Sequence, residues 1–410
     1  MTMKSSLGCL LLSVVSWSVN GVIAAEPVAP AAERPLQYIR TSFENGSPLH
    51  WELDADGTVQ IHLVYDQERS SPNRANGHWH FQLQARPGSD LTLVLNNFDN
   101  VWNGKHGSPV SKATVCFVSE DGRDWRLAPT EFLEGNRLKV AIHMEGPTLF
   151  VARLEPYTLA HLERFKEAIA RHAAVQIEAI GRTVEGRELE MIGVGDTAAR
   201  RRVLLRARAH SWEPGGNWVV EGLVRRLLAD DAAAKAWRAQ YAVYILPMAN
   251  KDGVARGRTR FNMQGKDLNR QWDRPADPRY APENAALEKW IERMIAAGRR
   301  PDLAIDFHND EGGRLHLSRP EKDAEQYLAK MRRFEELLRK HTWFTEGSTG
   351  AGFRNPGSFG EGLLDRYGIP ACVQELNANW IAGLKQPVSA AHWQRFGADL
   401  CRVFAELFGE

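Results

Sequence analysis

The sequence predicts an α/β fold, a mixed, mostly parallel twisted sheet flanked by helices, preceded by a small β-sandwich. Two observations lead to this prediction. Up to about residue 155, short runs alternate apolar and polar residues at close spacing, which is typical of the strands of a sandwich. From residue 156 onwards, apolar strand-like runs alternate with segments of helical periodicity, which is typical of strands joined by helices.

The N-terminus has the features of a secretory signal. Lys4 precedes an apolar run at 10–15 that is too short to span a bilayer, and small residues at 22–25 suit cleavage. The pattern predicts a signal peptide at 1–25, and the Pro- and Ala-rich residues 26–35 predict a linker. We therefore expect an exported protein, periplasmic or secreted, with no membrane contact once the signal is removed.

Residues 36–155 are predicted to form the N-terminal β-sandwich domain. Clusters of turn residues, such as Asn45-Gly-Ser-Pro48, separate the alternating runs. We interpret the histidines His78, His80 and His106 as polar residues on strand faces rather than as metal ligands. The clearest predicted strands of this domain cover 59–63, 80–84, 91–95, 114–118 and 138–142.

Charge and cysteine content limit the partners and the covalent links. The chain has 52 Lys and Arg against 51 Asp and Glu, so nothing indicates a nucleic-acid or membrane-surface partner. Signal cleavage would leave Cys116, Cys372 and Cys401, with no Cys-x-x-Cys pair. At most one disulfide is then possible and none is required, so pairing of Cys372 with Cys401 stays open. The oligomeric state is likewise left open.

Residues 156–410 are predicted to form the α/β domain that carries the chemistry. Strands and helices alternate along it, and the helices show one apolar face. The predicted strands are 203–205, 242–246, 303–307 and 371–373, and the predicted helices are 159–172, 217–228, 282–296, 324–340 and 390–407.

Polar clusters stand just beyond each of these four strands. His210 and Glu213 follow the first, residues 250–253 follow the second, His308 follows the third and Glu375 follows the fourth. Open α/β sheets build their sites at the carboxyl ends of strands, so we expect the four clusters to converge.

Two histidines and a carboxylate are the protein ligands of many catalytic zinc sites. The His-x-x-Glu spacing of His210 and Glu213 is weak by itself, since His308 and Glu311 repeat it. With His308 it leaves a fourth position for water, and one zinc ion per chain would acidify that water. Glu375 is placed to act as the general base, although a salt-bridged glutamate at a strand end is the alternative.

The segment 250–270 is a candidate binding site for a carboxylate. It is loop-like and rich in Arg and Lys, and it ends in Asp267-Leu-Asn269-Arg270. A solvated charged loop would explain the composition, but adjacent Asn and Arg suit a fork-like grip on a carboxylate. This segment is therefore predicted to bind a carboxylate.

As an ordered set, these motifs resemble the zinc metallocarboxypeptidases, in particular the cytosolic-carboxypeptidase branch. The resemblance covers about residues 40–405, including the β-rich segment that ends in Pro156-Tyr-Thr158. The residues that carry it are His210-Ser-Trp-Glu213, Asn250-Lys-Asp-Gly253, Arg260, Asp267-Leu-Asn-Arg270, His308 and Gln374-Glu-Leu376.

The resemblance implies a role for each of these residues. His210, Glu213 and His308 would hold zinc, and Glu375 would act as general base and then as acid to the leaving amine. Further implied roles are stabilisation of the oxyanion by Arg260 and a hydrogen bond from His210 to Asp267 that orients the imidazole. The resemblance also implies that the partner is a peptide substrate whose free C-terminal carboxylate is clamped by Asn269 and Arg270.

The chain also departs from the family pattern. Many relatives have Pro where Lys251 stands, and many have a mobile tyrosine about 22 residues before the glutamate, whereas residues 346–356 contain no tyrosine. Two other functions stay open at this point. One is a zinc amidase or deacylase acting on cell-wall-derived peptides, and the other is a binding module with a degenerate site.

Overall fold

Alternating apolar side chains build two facing five-stranded sheets in the N-terminal part of the chain. One sheet has the strand order β1-β4-β12-β8-β9, the other β10-β11-β5-β3-β2, and β6 and β7 form a separate hairpin. The strands are β1 (Leu36–Arg40), β2 (Leu49–Leu53), β3 (Val59–Leu63), β4 (His80–Ala85), β5 (Asp90–Asn96), β6 (Asn100–Trp102), β7 (Lys105–Gly107), β8 (Cys116–Ser119), β9 (Arg126–Ala128), β10 (Thr130–Leu133), β11 (Arg137–His143) and β12 (Thr148–Ala152).

The computed structural model describes residues 34–66, 73–102, 104–319, 324–350 and 357–409. The predicted signal peptide at 1–25 and all but the end of the predicted linker at 26–35 lie outside these residues. None of the described helices combines the length and the apolar character that crossing a membrane requires.

The core of the sandwich lies between its two sheets. Ile61 of β3 and Leu93 of β5 are buried in one sheet, and Phe81 of β4 and Val151 of β12 are buried in the other. All four belong to one apolar cluster, as the period-two alternation requires when one face of each sheet is covered.

The second half of the chain is a seven-stranded mixed sheet with helices. Its strand order is β13-β14-β16-β15-β17-β19-β18. The neighbours β16, β15, β17 and β19 pair in parallel, whereas β13, β14 and β18 form antiparallel pairs. In chain order the elements are α1 (Leu159–Ile169), β13 (Val175–Arg182), β14 (Glu188–Val194), β15 (Arg201–Ala207), α2 (Gly215–Leu227), α3 (Ala232–Gln240), β16 (Tyr241–Leu246), α4 (Lys251–Ala255), α5 (Pro282–Ala296), β17 (Leu303–Asp310), β18 (Leu315–Leu317), α6 (Ala324–His341), α7 (Phe359–Tyr367), β19 (Ala371–Asn377), β20 (Trp380–Ile381), β21 (Gln386–Pro387) and α8 (Ala390–Phe408).

Strands β17 and β19 continue well past the ends that their hydropathy predicts. β17 continues through Asp310 rather than ending at residue 307, and β19 continues through Asn377 rather than ending at residue 373. His308 and Glu375 therefore lie within strands, not beyond them. The polar residues at these strand ends are hydrogen-bonded in register, so tertiary pairing overrides the local loss of apolar character.

Two further expectations need correction, and the open question of a disulfide is answered. The segment 250–270 is not wholly loop, because it begins with the short helix α4. His78 and His80 are buried rather than exposed on polar strand faces, and burial lowers the pKa of each imidazole to about 3. The three described cysteines are buried free thiols.

The sandwich packs directly against the α4 region, and residues Pro35–Glu410 form one compact unit. The side chain of Asn45 donates to the carbonyl of Val254 at 3.0 Å, and its backbone N–H donates to Ala255 at 3.2 Å. A Cβ atom on Gly257 would lie 2.2 Å from the carbonyl oxygen of Gly46. Only glycine permits this approach, and its φ of +59° also favours glycine.

Candidate active site

The carboxyl ends of three adjacent parallel strands form the floor of the site. β15 lies next to β17, and β17 lies next to β19. His308 of β17 and Glu375 of β19 are register partners, and the turn after β15 carries His210. The topology thus brings together residues that are far apart in sequence.

The turn after β15 is held by a buried arginine. Arg208 has a φ of +62°, a left-handed conformation that costs a non-glycine residue on the order of 1 kcal/mol. Its Nε donates to the carbonyl of Ser211 at 2.8 Å, and its Nη1 donates to Asn217 Oδ1 at 3.0 Å. These bonds hold the sharp change of direction that presents His210 to the site.

Glu213 stands immediately before helix α2, whose position depends on close packing. A Cβ on Gly216 would lie 2.7 Å from the Cβ of Phe307 and 2.9 Å from that of Ala207. The glycine therefore lets the first turn of α2 lie against the strands. A carboxylate at this helix N-terminus is also favoured by the helix dipole.

Three predicted ligands converge on one point. Nδ1 of His210 lies 2.8 Å from Glu213 Oε1, and Nδ1 of His308 lies 2.8 Å from Glu213 Oε2. The two Nδ1 atoms are 3.0 Å apart. All three side chains are buried, and their donor atoms lie within 4.8 Å of one another.

The outward-facing nitrogens of both imidazoles are held by carboxylates. His210 Nε2 lies 3.1 Å from Asp267 Oδ1, and His308 Nε2 lies 2.7 Å from Asp306 Oδ2. A carboxylate on Nε2 places the proton there and leaves Nδ1 as the lone-pair donor.

This donor set fits zinc. Two unprotonated imidazole nitrogens and one carboxylate are a common three-ligand set of catalytic zinc sites. Burial alone would raise the pKa of Glu213, but His210 and His308 lower it to about 2, so the carboxylate is ionised as a ligand must be.

Arg260 adjoins the ligands through Asp267. Nε and Nη2 of Arg260 each lie 2.7 Å from Asp267 Oδ2, and Nη1 lies 3.3 Å from His210 Nδ1. Burial would raise the pKa of Asp267, but Arg260 and His210 hold it well below its usual value. One carboxylate therefore positions both an imidazole and the guanidinium beside it.

Asn269 and Arg270 border the same site. Asn269 Oδ1 accepts the backbone N–H of Phe359 at 2.9 Å, and its Nδ2 lies 3.3 Å from His308 Nε2. Arg270 Nη1 donates to the carbonyl of Asn269 at 2.8 Å. The amide oxygen of Asn269 is thus engaged with the start of α7, and the amide nitrogen faces the site.

A cleft of about 670 Å³ opens over these residues. Its lining includes the predicted ligands His210 and Glu213, with Arg260, Asn269, Arg270 and Glu375. A larger cavity of about 1060 Å³ lies at the opposite ends of the strands, beside Arg202, Asp302 and Pro370. None of the predicted site residues lines that second cavity.

Comparison with known proteins decides the family. A family profile described as zinc carboxypeptidase matches residues 162–339. An uncharacterised protein of Zymomonas mobilis is 31% identical over 280 residues, which is 67% of each chain. The chain belongs to the zinc carboxypeptidase family. Its resemblance to zinc metallocarboxypeptidases, its mixed α/β fold and its assignment as a metallopeptidase-type hydrolase are thereby confirmed.

The cytosolic carboxypeptidases are also similar to this zinc carboxypeptidase. Cytosolic carboxypeptidase 1 of Danio rerio is 34% identical over 266 residues, or 61% of this chain. The chain spans 20% of that protein. Shorter matches cover 27% of this chain and 9% of the human cytosolic carboxypeptidase 1.

Solved metallo-carboxypeptidase structures share the fold of nearly the whole chain. The structure from Burkholderia cenocepacia has a TM-score of 0.79 at 21% identity and covers 91% of this chain and 98% of its own. The structure from Pseudomonas aeruginosa has a TM-score of 0.77 at 23% identity and covers 90% and 99%. Since so much of the chain is covered, the shared fold includes strands of the sandwich.

Two residues of this zinc carboxypeptidase site were missed in the sequence. Asp306 binds His308, and it also accepts Arg206 Nε at 2.8 Å and a second, very short bond from Arg206 Nη2. Arg206 and Asp306 are register partners on β15 and β17, and both side chains are fully buried. The available signal was a charged residue next to or within an apolar run, since Arg206 directly follows the run 203–205 and Asp306 interrupts the run 303–307.

Glu375 is buried beside a second carboxylate. Its Oε2 is buried and has no hydrogen-bond partner among the described residues. Burial raises the pKa of Glu375 well above its usual value, and the carboxylate of Asp310 raises it further. His316, Asp310 and Glu375 lie within 4.8 Å of one another, so two unforeseen titratable groups adjoin the predicted base.

Proposed function

We propose that this protein is an exported zinc enzyme that hydrolyses the C-terminal peptide bond of peptides, with Glu375 as general base. One observation supports the proposal more than any other. Two of the three clustered metal donors, His210 and Glu213, line one cleft with the carboxylate of Glu375 and with Arg270. A scissile carbonyl and a terminal carboxylate need these groups close together.

When bound, zinc would be held by His210, Glu213 and His308 and would polarise a carbonyl and acidify water. Glu375 accepts the proton of the attacking water and returns it to the leaving amine. Arg260, held by Asp267, presents Nη1 to the side of His210 where the oxyanion develops. Loss of a single donor of this kind costs about 3–4 kcal/mol of barrier.

The substrate carboxylate is assigned to Arg270 and Asn269. Guanidinium groups bind carboxylates with two parallel hydrogen bonds, which fixes the end of the chain as well as attracting it. The Pseudomonas aeruginosa structure was determined in complex with (2-guanidinoethylmercapto)succinic acid, whose name describes a dicarboxylic acid. A carboxylate ligand in a protein of the same fold supports this assignment.

Matched peptides test the specificity for a free C-terminus. A peptide and its C-terminal amide are compared with wild-type protein, Arg270→Ala and the exposed neighbour variant Arg274→Ala as control. We expect wild type and Arg274→Ala to prefer the free acid. Arg270→Ala should lose 10- to 100-fold in kcat/KM on the free acid only, as expected for charged hydrogen bonds worth about 1.5–3 kcal/mol.

Equal turnover of acid and amide by wild-type protein would overturn the carboxypeptidase assignment in favour of an amidase or deacylase. Absence of turnover on both, with zinc bound, would refute peptide hydrolysis altogether.

Export is proposed from residues 1–25 alone. Mass spectrometry of the protein from native cells should give a mature N-terminus after residue 25, in the periplasmic or extracellular fraction. An intact N-terminus in the cytosolic fraction would refute export and leave the chemistry unaffected.

A further inference from the structure

A carboxylate of the sandwich domain binds the segment that carries Arg260. Asp66 follows β3, and its two oxygens accept the backbone N–H groups of Thr259, Arg260 and Phe261 at 2.8, 2.5 and 3.0 Å. Its partners stand 193 to 195 residues away in sequence. Asp66 is only 6% exposed, so loss of its oxygens would leave buried N–H groups without an acceptor, which is costly.

The same segment has a second bond from the sandwich. Thr259 Oγ1 accepts the N–H groups of Gly77 and His78 at 3.2 and 3.3 Å. From the opposite side, Asn250 Nδ2 donates to the carbonyls of Arg260 and Phe261, both at 3.1 Å. The backbone at Arg260 is therefore fixed between the two domains, with the sandwich supplying every acceptor for its three consecutive N–H groups.

The side chain that this backbone supports needs such support. Arg260 reaches Asp267 with Nε and Nη2, which leaves Nη1 to face His210 at 3.3 Å. Catalytic groups misplaced by about 1 Å lose on the order of 100-fold in rate. Movement of the 259–261 backbone would shift the guanidinium directly. His308 is held within β17, and the turn that carries His210 and Glu213 is held by Arg208, although it also meets this segment through the Trp212 N–H, which donates to the Thr259 carbonyl at 3.0 Å.

We propose that Asp66 is a positioning residue for Arg260, so that the N-terminal sandwich completes the active site of the catalytic domain. The inference rests on the proposed function for its kinetic consequence. The sandwich also forms one wall of the cleft, through Gly77, Asn100, Lys105 and Ser108. The domain is thereby a part of the site rather than an independent module.

Hydrogen exchange on the full chain tests the anchor without any substrate. In Asp66→Asn, the amide group replaces one acceptor oxygen, and the amides of Thr259–Phe261 should exchange at least tenfold faster than in wild type. The matched control is Glu44→Gln, since Glu44 also accepts backbone N–H groups of the catalytic domain, at Leu159 and Ala160, which do not line the cleft. That variant should change exchange only at α1.

Kinetics test the positioning role. Asp66→Asn should lower kcat by 10- to 100-fold with KM within about twofold and zinc content unchanged, because the clamp residues and ligands are untouched. In an Arg260→Ala background, Asp66→Asn should change kcat by less than twofold. A merely structural residue would instead add its full effect to that of Arg260→Ala.

Additive losses in the double variant, or unchanged exchange at 259–261, would overturn the inference. Should Asp66→Asn fail to fold, Thr259→Val removes the second bond from the sandwich and must show the same dependence on Arg260. Should wild-type protein release no C-terminal residue from any free-acid peptide, the proposed function fails, and the exchange experiment alone decides the anchor.

Discussion

Replacing Asp306 by asparagine should weaken zinc binding and destabilise the fold through two separable causes. The carboxylate accepts His308 Nε2 at 2.7 Å and pairs with the buried Arg206. An asparagine retains only one acceptor oxygen. Either the His308 imidazole then loses its orienting partner, or the Arg206 guanidinium loses its bidentate pairing with a carboxylate. Loss of such an orienting group lowers metal affinity 10- to 100-fold, which is about 1.4–2.7 kcal/mol.

The stability cost comes from Arg206. Removing one partner of a buried ion pair costs about 3–5 kcal/mol, because the remaining charge is left buried. Zinc affinity is measured by chelator competition at a temperature where both proteins are folded, and stability by urea unfolding of the zinc-free proteins. Asp302→Asn is the control, because Asp302 pairs with the partly exposed Arg201 before the same strand.

A double variant separates the two causes. Arg206→Met with Asp306→Asn should recover much of the stability, since buried pairs replaced by apolar groups are often neutral. Zinc affinity should stay 10- to 100-fold weaker, because His308 still lacks its carboxylate. Wild-type zinc affinity in Asp306→Asn would refute the reasoning, and so would full recovery of affinity in the double variant.

Three further predictions concern stability. Burial raises the pKa of Glu283 to about 7, so the folded protein holds a proton that the unfolded chain releases near pH 4.5. The free energy of unfolding should therefore fall as the pH rises from 4.5 to 7. In urea unfolding, Glu283→Gln should be more stable than wild type by up to about 3 kcal/mol at pH 8 and equally stable at pH 4. Burial lowers the pKa of His78 to about 3, so the unfolded chain takes up a proton near pH 6.5 that the folded protein does not, and the free energy of unfolding falls as the pH drops from 6.5 towards 3. His78→Gln should flatten this dependence of stability on pH. An unchanged dependence would contradict the role given to His78. Gly257→Ala should destabilise the protein by more than about 2 kcal/mol, because the alanine Cβ would collide with the backbone of Gly46. Gly186 has a similar φ, but a Cβ added there would lie in open space, so Gly186→Ala should cost only about 1 kcal/mol. Equal shifts in melting temperature for the two variants would count against the close approach.

The sequence was most informative where potential metal ligands and acid–base groups stand near the ends of predicted strands. His210, Glu213, His308 and Glu375 could be named because each stands at the end of an apolar run, and parallel strands bring such ends together. The periodicity of apolar residues along the chain likewise predicted most of the long helices and the central strands.

The remainder depends on contacts that no local pattern encodes. Hydropathy ended β17 at residue 307, whereas pairing with β19 carries it to Asp310. Helix α3 was missed although Asp231 caps it, because its short alanine-rich sequence has little apolar periodicity. The bond from Asp66 to the Arg260 segment joins two domains, so it could not be predicted from either domain alone.

The central claim is that His210, Glu213 and His308 hold one zinc ion and that Glu375 accepts the proton of the attacking water. It is tested most directly by measuring zinc content and peptide turnover together in Glu375→Gln and His308→Ala. We predict one zinc per chain and no C-terminal release in Glu375→Gln, and neither zinc nor release in His308→Ala. Undiminished release by Glu375→Gln, or full zinc occupancy in His308→Ala, would contradict the claim.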